Sequence, residues 1–123
     1  MEYNGFRDLR VYTLAYELAQ RIFQISKRFP QEEKYSLTDQ IRRASRSIPA
    51  NLAEGWPKRR YQRLFVSKMI DCAGEASEVS VWLDFAKDAQ YLGTTEHTQL
   101  TEGYLQVSRM LHGIITKADK FCF

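Results

Sequence analysis

The sequence predicts an all-α chain folded as an antiparallel, up-down-up-down four-helix bundle, and three observations carry that expectation. Apolar residues recur at spacings of three and four through four long segments, as they do in helices that bury one face. Short connections holding Pro30, Gly55, Pro57 and Gly93 separate the segments, and short connections favour antiparallel neighbours. With three prolines and six glycines in 123 residues, the chain is poor in the turn formers that an all-β fold requires.

Residues 1–6 show no period and read as a flexible lead-in to a single domain over residues 7–123. Asp8 suits the positive end of the first helix dipole. That helix runs to about Phe29, where Pro30 stops it. Its main seam is Val11, Leu14, Leu18, Ile22, Ile25 and Phe29, and a second seam of Tyr12, Tyr16, Ala19 and Phe23 runs alongside. Two seams make a face wider than one neighbour covers, so this helix is either wedged between two helices of its own bundle or turned toward another subunit.

The second helix begins at Leu37, with Leu37, Ile41, Ala44, Ile48 and Leu52 as its apolar stripe and Gln40, Arg43, Ser47, Asn51 and Glu54 as the polar stripe beside it. Pro49 interrupts the pattern, removing a donor and clashing with the carbonyl four residues back at a cost of about 3 kcal/mol. A kink or restart is therefore expected there, with the freed carbonyl near Ser45 taking a donor from Asn51 or an arginine. Gly55 is expected in the left-handed conformation that closes the helix, with Pro57 in the first turn of the next.

The third helix is expected over residues 57–92, about 50 Å at 1.5 Å per residue. Phe65, Met69, Cys72, Ala76, Val79, Leu83 and Ala86 alternate four and three as a heptad seam. Its middle, with Cys72, Ala73, Gly74, Ala76 and Ser77, is small enough for a facing backbone to approach, which gives Gly74 a packing reason. Trp82 and Phe85 lie off the seam as aromatic surface. Gly93 then closes the third helix, and Thr94 or Thr95 caps a fourth, whose seam is Leu100, Tyr104, Val107, Leu111, Ile114, Ala118 and Phe121.

Charge is unevenly spread along this scaffold. Residues 37–63 hold Arg42, Arg43, Arg46, Lys58, Arg59, Arg60 and Arg63 against only Asp39 and Glu54, while the whole chain has a net charge of +3. An up-and-down topology would bring the turn between the second and third helices to both chain ends. Arg7, Arg10, Lys58, Arg59, Arg60, Arg63, Lys117 and Lys120 would then share one pole. Lys58, Arg59 and Arg60 would sit at a helix N-terminus, where each cation is disfavoured by about 0.3–1 kcal/mol. Such a pole suits phosphate, with Trp56 and Tyr61 available to stack on unpaired bases. The competing reading is a solubilising patch whose aromatics pack locally.

Patterns for other chemistries are missing. Di-iron bundles need Glu-x-x-His pairs, but Thr94 precedes His97 and Arg109 precedes His112 at that spacing. The glycines are scattered, so there is no phosphate-cradling loop, and Cys72 and Cys122 read as free thiols. Asp71, Glu75 and Glu78 form an acidic row on the third helix, read as a solvated face or as partners for the arginines of the second helix in preference to a cation site or an acid-base pair. No cofactor, metal or enzymatic activity is expected. Without a signal sequence or a run of roughly twenty apolar residues, the chain reads as cytoplasmic with no membrane partner.

The stretch QIRRASRSIPANLAEGWPKRR resembles the signature Gln-Ile-x-Arg-Ala-x-x-Ser-Ile-x-x-Asn-Ile-Ala-Glu-Gly of a bacterial four-helix-bundle family encoded by intervening sequences within large-subunit ribosomal RNA genes. FRDLRVYTLAYELA, RFPQEEKYSLTDQ and AGEASEVSVWL resemble its first helix, its following turn and its small, acidic third helix, so the likeness covers nearly the whole chain. Leu52 replaces the usual isoleucine, and AGEASE stands where a Gly-Ser pair is usual. The resemblance implies a ring-like homopentamer that binds RNA or DNA and, as in accessory factors of diversity-generating retroelements, a reverse transcriptase. The matching residues are Gln40, Arg43, Ser47, Asn51, Glu54 and Gly55, taken as structural or assembly positions, with Tyr12, Tyr16, Phe23 and Trp82 as aromatic assembly surface. Arg42, Arg46, Lys58, Arg59, Arg60 and Arg63 are the candidate nucleic-acid contacts.

Overall fold

Four of the apolar stripes become long helices in the computed structural model, which describes residues 3–123. They are α1 (Arg10–Ser26), α2 (Leu37–Gly55), α3 (Gln62–Asp88) and α4 (Thr94–Thr116), followed by a single turn, α5 (Ala118–Phe121). Short 3-10 turns at Phe6–Asp8, Gln31–Glu33 and Trp56–Arg60 fill the connections, and no strand occurs among the described residues. Helix α1 packs on α2 and α4, and α3 packs on the same two helices. All seven residues of the α3 seam and all five of the α2 seam are buried in one continuous core, as heptad spacing demands. The wide face of α1 is split: Val11, Leu18, Ala19 and Ile22 are buried, whereas Tyr16 is half exposed.

The helix ends depart from expectation. Phe29 is buried, but α1 ends at Ser26, and tighter i to i+3 bonds carry the chain on to Phe29. Gly55 is right-handed (φ −73°) and not left-handed. Its reason is steric, because a Cβ there would lie 2.9 Å from Met69 Cε and 3.0 Å from Lys68 Cβ on α3. Pro57 belongs to the Trp56–Arg60 turn, and an extended Tyr61 (φ −124°, ψ 101°) caps α3. Lys58, Arg59 and Arg60 therefore precede α3 and do not occupy its first turn. Gly74 is exposed with nothing within 4 Å of an added Cβ, so no packing within this chain requires it.

At the far end of α3 the left-handed position falls to Gln90 (φ 65°), and Gly93 is instead the extended N-cap of α4, where its N–H donates to Glu96 Oε1 at 3.2 Å. Tyr91 N–H reaches the Ala86 carbonyl (2.8 Å) and Gln90 N–H the Lys87 carbonyl (2.9 Å), the two bonds of a Schellman closure. Glycine occupies that conformation without a Cβ penalty. Gln90→Gly is accordingly expected to stabilise the fold by about 0.5–1 kcal/mol, read as a higher urea midpoint at unchanged slope.

Helix α2 runs through the buried Pro49 without interruption. Asn51 Nδ2 donates to the Ser47 carbonyl (2.9 Å), not to that of Ser45, and the buried Cys72 thiol donates to the Ile48 carbonyl (3.6 Å). Of the expected lead-in, residues 1 and 2 lie outside the described residues. Tyr3 stacks on Phe121 (5.6 Å) and meets Trp56 edge-on (5.8 Å), and Phe6 meets Tyr12 (5.1 Å), so these residues are packed where a loose segment was expected.

Candidate nucleic-acid interface

The turn after α2 is organised by Trp56, which is buried although its neighbours are cationic. The Arg59 guanidinium lies 3.6 Å from the centre of the Trp56 ring, and Arg59 Nε donates to the Trp56 carbonyl (2.9 Å). Phe123 covers the other side of Arg59 at 5.2 Å, with its N–H on the Arg59 carbonyl (3.4 Å). A partly buried cation-π stack of this kind gives a structural role to Arg59, expected from the sequence as a nucleic-acid contact. Trp56 has no open face to offer a base. Tyr61 does, at 60% exposure.

Around this knot Lys58, Arg60 and Arg63 are exposed, and none of them forms an ion pair among the described residues. Tyr3, Phe121 and Phe123 tie the described start and the end of the chain to the same turn. The start of α1 and the end of α4 place Arg10, Lys117 and Lys120 around a neighbouring cleft of about 600 Å³. Arg7 turns away, over the Phe6 ring (4.6 Å) and into a groove between α1 and α2.

Arg42 and Arg46 do not join this group. Arg42 lies about 20 Å from the end of α2, counting 1.5 Å per residue. Together with Lys27 these arginines surround Phe23, at 4.7, 5.0 and 4.9 Å from its ring, and Arg42 Nε donates to Ser26 Oγ (2.7 Å). They form a second basic patch, on the side of the molecule where α1 meets α2.

The polar stripe of α2 faces α3. Arg43 bridges Glu78 (2.8 Å) and approaches Glu75 (3.9 Å), and it also donates to Gln40 Oε1 (3.3 Å) on its own helix. Ser47 Oγ accepts from Asn51 Nδ2 (3.0 Å) on its own helix. Lys68 Nζ donates to Asn51 Oδ1 (3.0 Å) and Glu54 Oε2 (2.9 Å). Arg43, Asn51 and Glu54, with Ser47 holding the Asn51 amide and Gly55 allowing the close approach, are therefore a ladder fastening α2 to α3. Two members of the acidic row find partners in an arginine of the second helix.

The ladder shifts protonation in opposite directions. The Lys68 hydrogen bond lowers the Glu54 carboxyl below its usual range and raises Lys68. Burial, followed by the hydrogen bond with Glu78, raises Glu75. A raised carboxyl holds its proton in the folded state above the pH at which the unfolded chain releases it, so its contribution to stability declines as pH climbs through that window. The depressed Glu54 has the opposite sign, losing its contribution as pH falls. Glu75→Gln is expected to raise Tm at pH 7 and to remove the decline just above the ordinary carboxylate range, as thermal melts across pH 4–7 would show.

The remaining candidates are surface or packing groups. Tyr12 and Tyr16 neighbour each other at 6.0 Å along α1, and Trp82 lies 5.9 Å from the exposed Phe85. His97 Nε2 pairs with Asp84 Oδ1 (2.8 Å), joining α4 to α3. Burial pushes the Cys72 thiol up to about 12, so it is an unreactive core group. Among the described residues, no three His, Cys, Asp or Glu side chains are grouped to hold a metal ion, and no helix is long and apolar enough to cross a membrane. Arg10, Lys117 and Lys120, expected at one pole, do share a cleft, whereas the stacking of Arg59 on Trp56 three residues earlier in the same turn has no counterpart in the spacing of charges or apolar residues.

A comparison with curated proteins returned no match. Among solved structures, a protein of unknown function from the S23 ribosomal protein family from Bacteroides thetaiotaomicron superposes with a TM-score of 0.77, at 24% identity over 86% of this chain and 95% of that one, a likeness of fold. The family described as 23S rRNA-intervening sequence protein matches residues 7–113, a span that includes all four long helices up to Gly113 and the entire α2–α3 ladder. This chain belongs to the 23S rRNA-intervening sequence protein family.

Proposed function

We propose that the chain is a non-enzymatic, cytoplasmic, antiparallel four-helix bundle that self-associates and binds RNA through the basic surface around the α2–α3 turn. The observation that carries this reading is the set of exposed cations Lys58, Arg60 and Arg63 beside the exposed Tyr61, in and just after a turn where Arg59 stacks on Trp56. Clustered cations beside an open aromatic ring suit phosphate and an unpaired base together. Self-association draws on two unlike surfaces. One is the exposed Ile70, Val81 and Phe85 stripe of α3, and the other is the α1–α2 groove beside Tyr16. Unlike surfaces join copies head to tail, and such contacts make a ring when the rotation between copies closes. The family resemblance supports five copies as the size of that ring.

The test is binding of single-stranded RNA by fluorescence anisotropy at 50 and 200 mM salt, with light scattering for the assembly. Each phosphate contact contributes roughly 0.7 to the log-log salt slope on single strands. Replacing Lys58, Arg60 and Arg63 together by alanine is expected to flatten the slope by about 2 without lowering Tm. Affinity that is equal at both salt concentrations would overturn the reading.

The α3 stripe also favours a second reading, a scaffold for a protein partner such as a reverse transcriptase. Co-purification that survives nuclease treatment would favour that partner over RNA.

A further inference from the structure

The cleft between the start of α1 and the end of α4 is chemically two-sided. Its rim carries Arg10, Lys117 and Lys120, all exposed, and no acidic residue is among its described lining. Its wall is apolar, with Met110 and Ile114 on α4 and the stacked rings of Tyr3 and Phe121 closing one end. The break after Thr116, where Lys117 leaves helical geometry (φ −114°, ψ 28°), ends α4 and lets α5 bring Lys120 and Phe121 to the same opening. At Gly113, an added Cβ would meet nothing within 4 Å, so this part of the lining is open space left by a missing side chain. The volume, about 600 Å³, falls in the range of roughly 300–1,000 Å³ typical of small-ligand sites.

We propose that this cleft binds one unstacked nucleotide of a single strand, with the base against the Tyr3–Phe121 end and its phosphate on Arg10, Lys117 and Lys120. Three uncompensated cations match a phosphate better than the single charge of a fatty acid. A base has a flat face for the aromatic end, and the exposed Gln106 amide at the rim supplies both a donor and an acceptor for a base edge. The proposal rests on the RNA-binding reading but assigns it a separate subsite, about whose occupancy Lys58, Arg60 and Arg63 say nothing.

Titration of the 15N-labelled full chain with adenosine 5′-monophosphate, and separately with inorganic phosphate and with dodecanoate, tests it. The expected result is saturable shifts at Gly113, Lys117 and Lys120 with the nucleotide, at an affinity at least tenfold above that of phosphate. Gly113→Leu, which fills the cleft from a position with free space, is expected to weaken the nucleotide at least tenfold while preserving Tm. Lys117→Ala combined with Lys120→Ala gives a surface variant with the same expected loss. Unchanged nucleotide affinity in either folded variant, equal binding of phosphate alone, or stronger binding of dodecanoate overturns the subsite. Failure here with a salt-dependent RNA slope intact removes the subsite and leaves the interface standing. Nucleotide binding at the cleft with a flat RNA slope removes the interface and leaves the subsite.

Discussion

Trp56→Ala is expected to destabilise the fold by about 3–5 kcal/mol, the range for truncating a large buried aromatic. The side chain is 8% exposed and has Tyr3 against its edge and the Arg59 guanidinium on its face. Removing it empties a site that three segments share and strips Arg59 of its stacking partner. Denaturant melts should show the loss directly. A companion variant, Arg59→Lys, retains the charge but not the flat guanidinium, and it is expected to lose about 1 kcal/mol through the weakened stack. Equal stability of Arg59→Lys and the parent would show that the stack contributes nothing beyond its charge. RNA affinity should fall in Trp56→Ala even though the ring is closed to solvent, because the exposed cations lose the platform that positions them.

Opposite signs are expected from two glycine substitutions that look alike in sequence. Gly55→Ala drives a methyl group to 2.9 Å from Met69 Cε and 3.0 Å from Lys68 Cβ. The methionine tip yields readily, but a Cβ moves only with its helix, so overpacking is expected to cost about 1–3 kcal/mol. Gly74→Ala meets nothing, and replacing an exposed mid-helix glycine is expected to stabilise by about 1 kcal/mol. Chemical denaturation of both variants, measured at low protein concentration, checks the pair. Gly74 also lies on the α3 face that carries Ile70 and Val81, so Gly74→Leu tests the assembly separately. Dissociation by light scattering with Tm preserved would place a sister copy over that position.

These contrasts mark what the sequence makes legible. Core seams were readable because burial imposes a period: every residue of the α3 heptad seam, from Phe65 to Ala86, is buried. Chain ends and connections were harder, since they are decided by atoms from elsewhere. Gly55 looks like a C-terminal cap in sequence, yet α3 passing close by is what excludes a side chain there. Gln90 adopts the left-handed turn with no glycine to announce it. The acidic row could be offered to the arginines of α2 from its spacing, and Glu75 and Glu78 do meet Arg43, but Lys68 as the partner of Asn51 and Glu54 could not be assigned that way. Among the basic residues, composition counted Arg59 with Arg60, whereas packing separates a half-buried stacked guanidinium from an open cation.

The two thiols give the molecule a built-in reporter. Cys72 is sealed between α2 and α3 on the Ile48 carbonyl, whereas Cys122 is only partly covered. A maleimide at mildly alkaline pH should therefore modify Cys122 promptly and Cys72 only when α2 and α3 part. Mass spectrometry of the second adduct over time would then clock the opening of that interface, without any engineered probe.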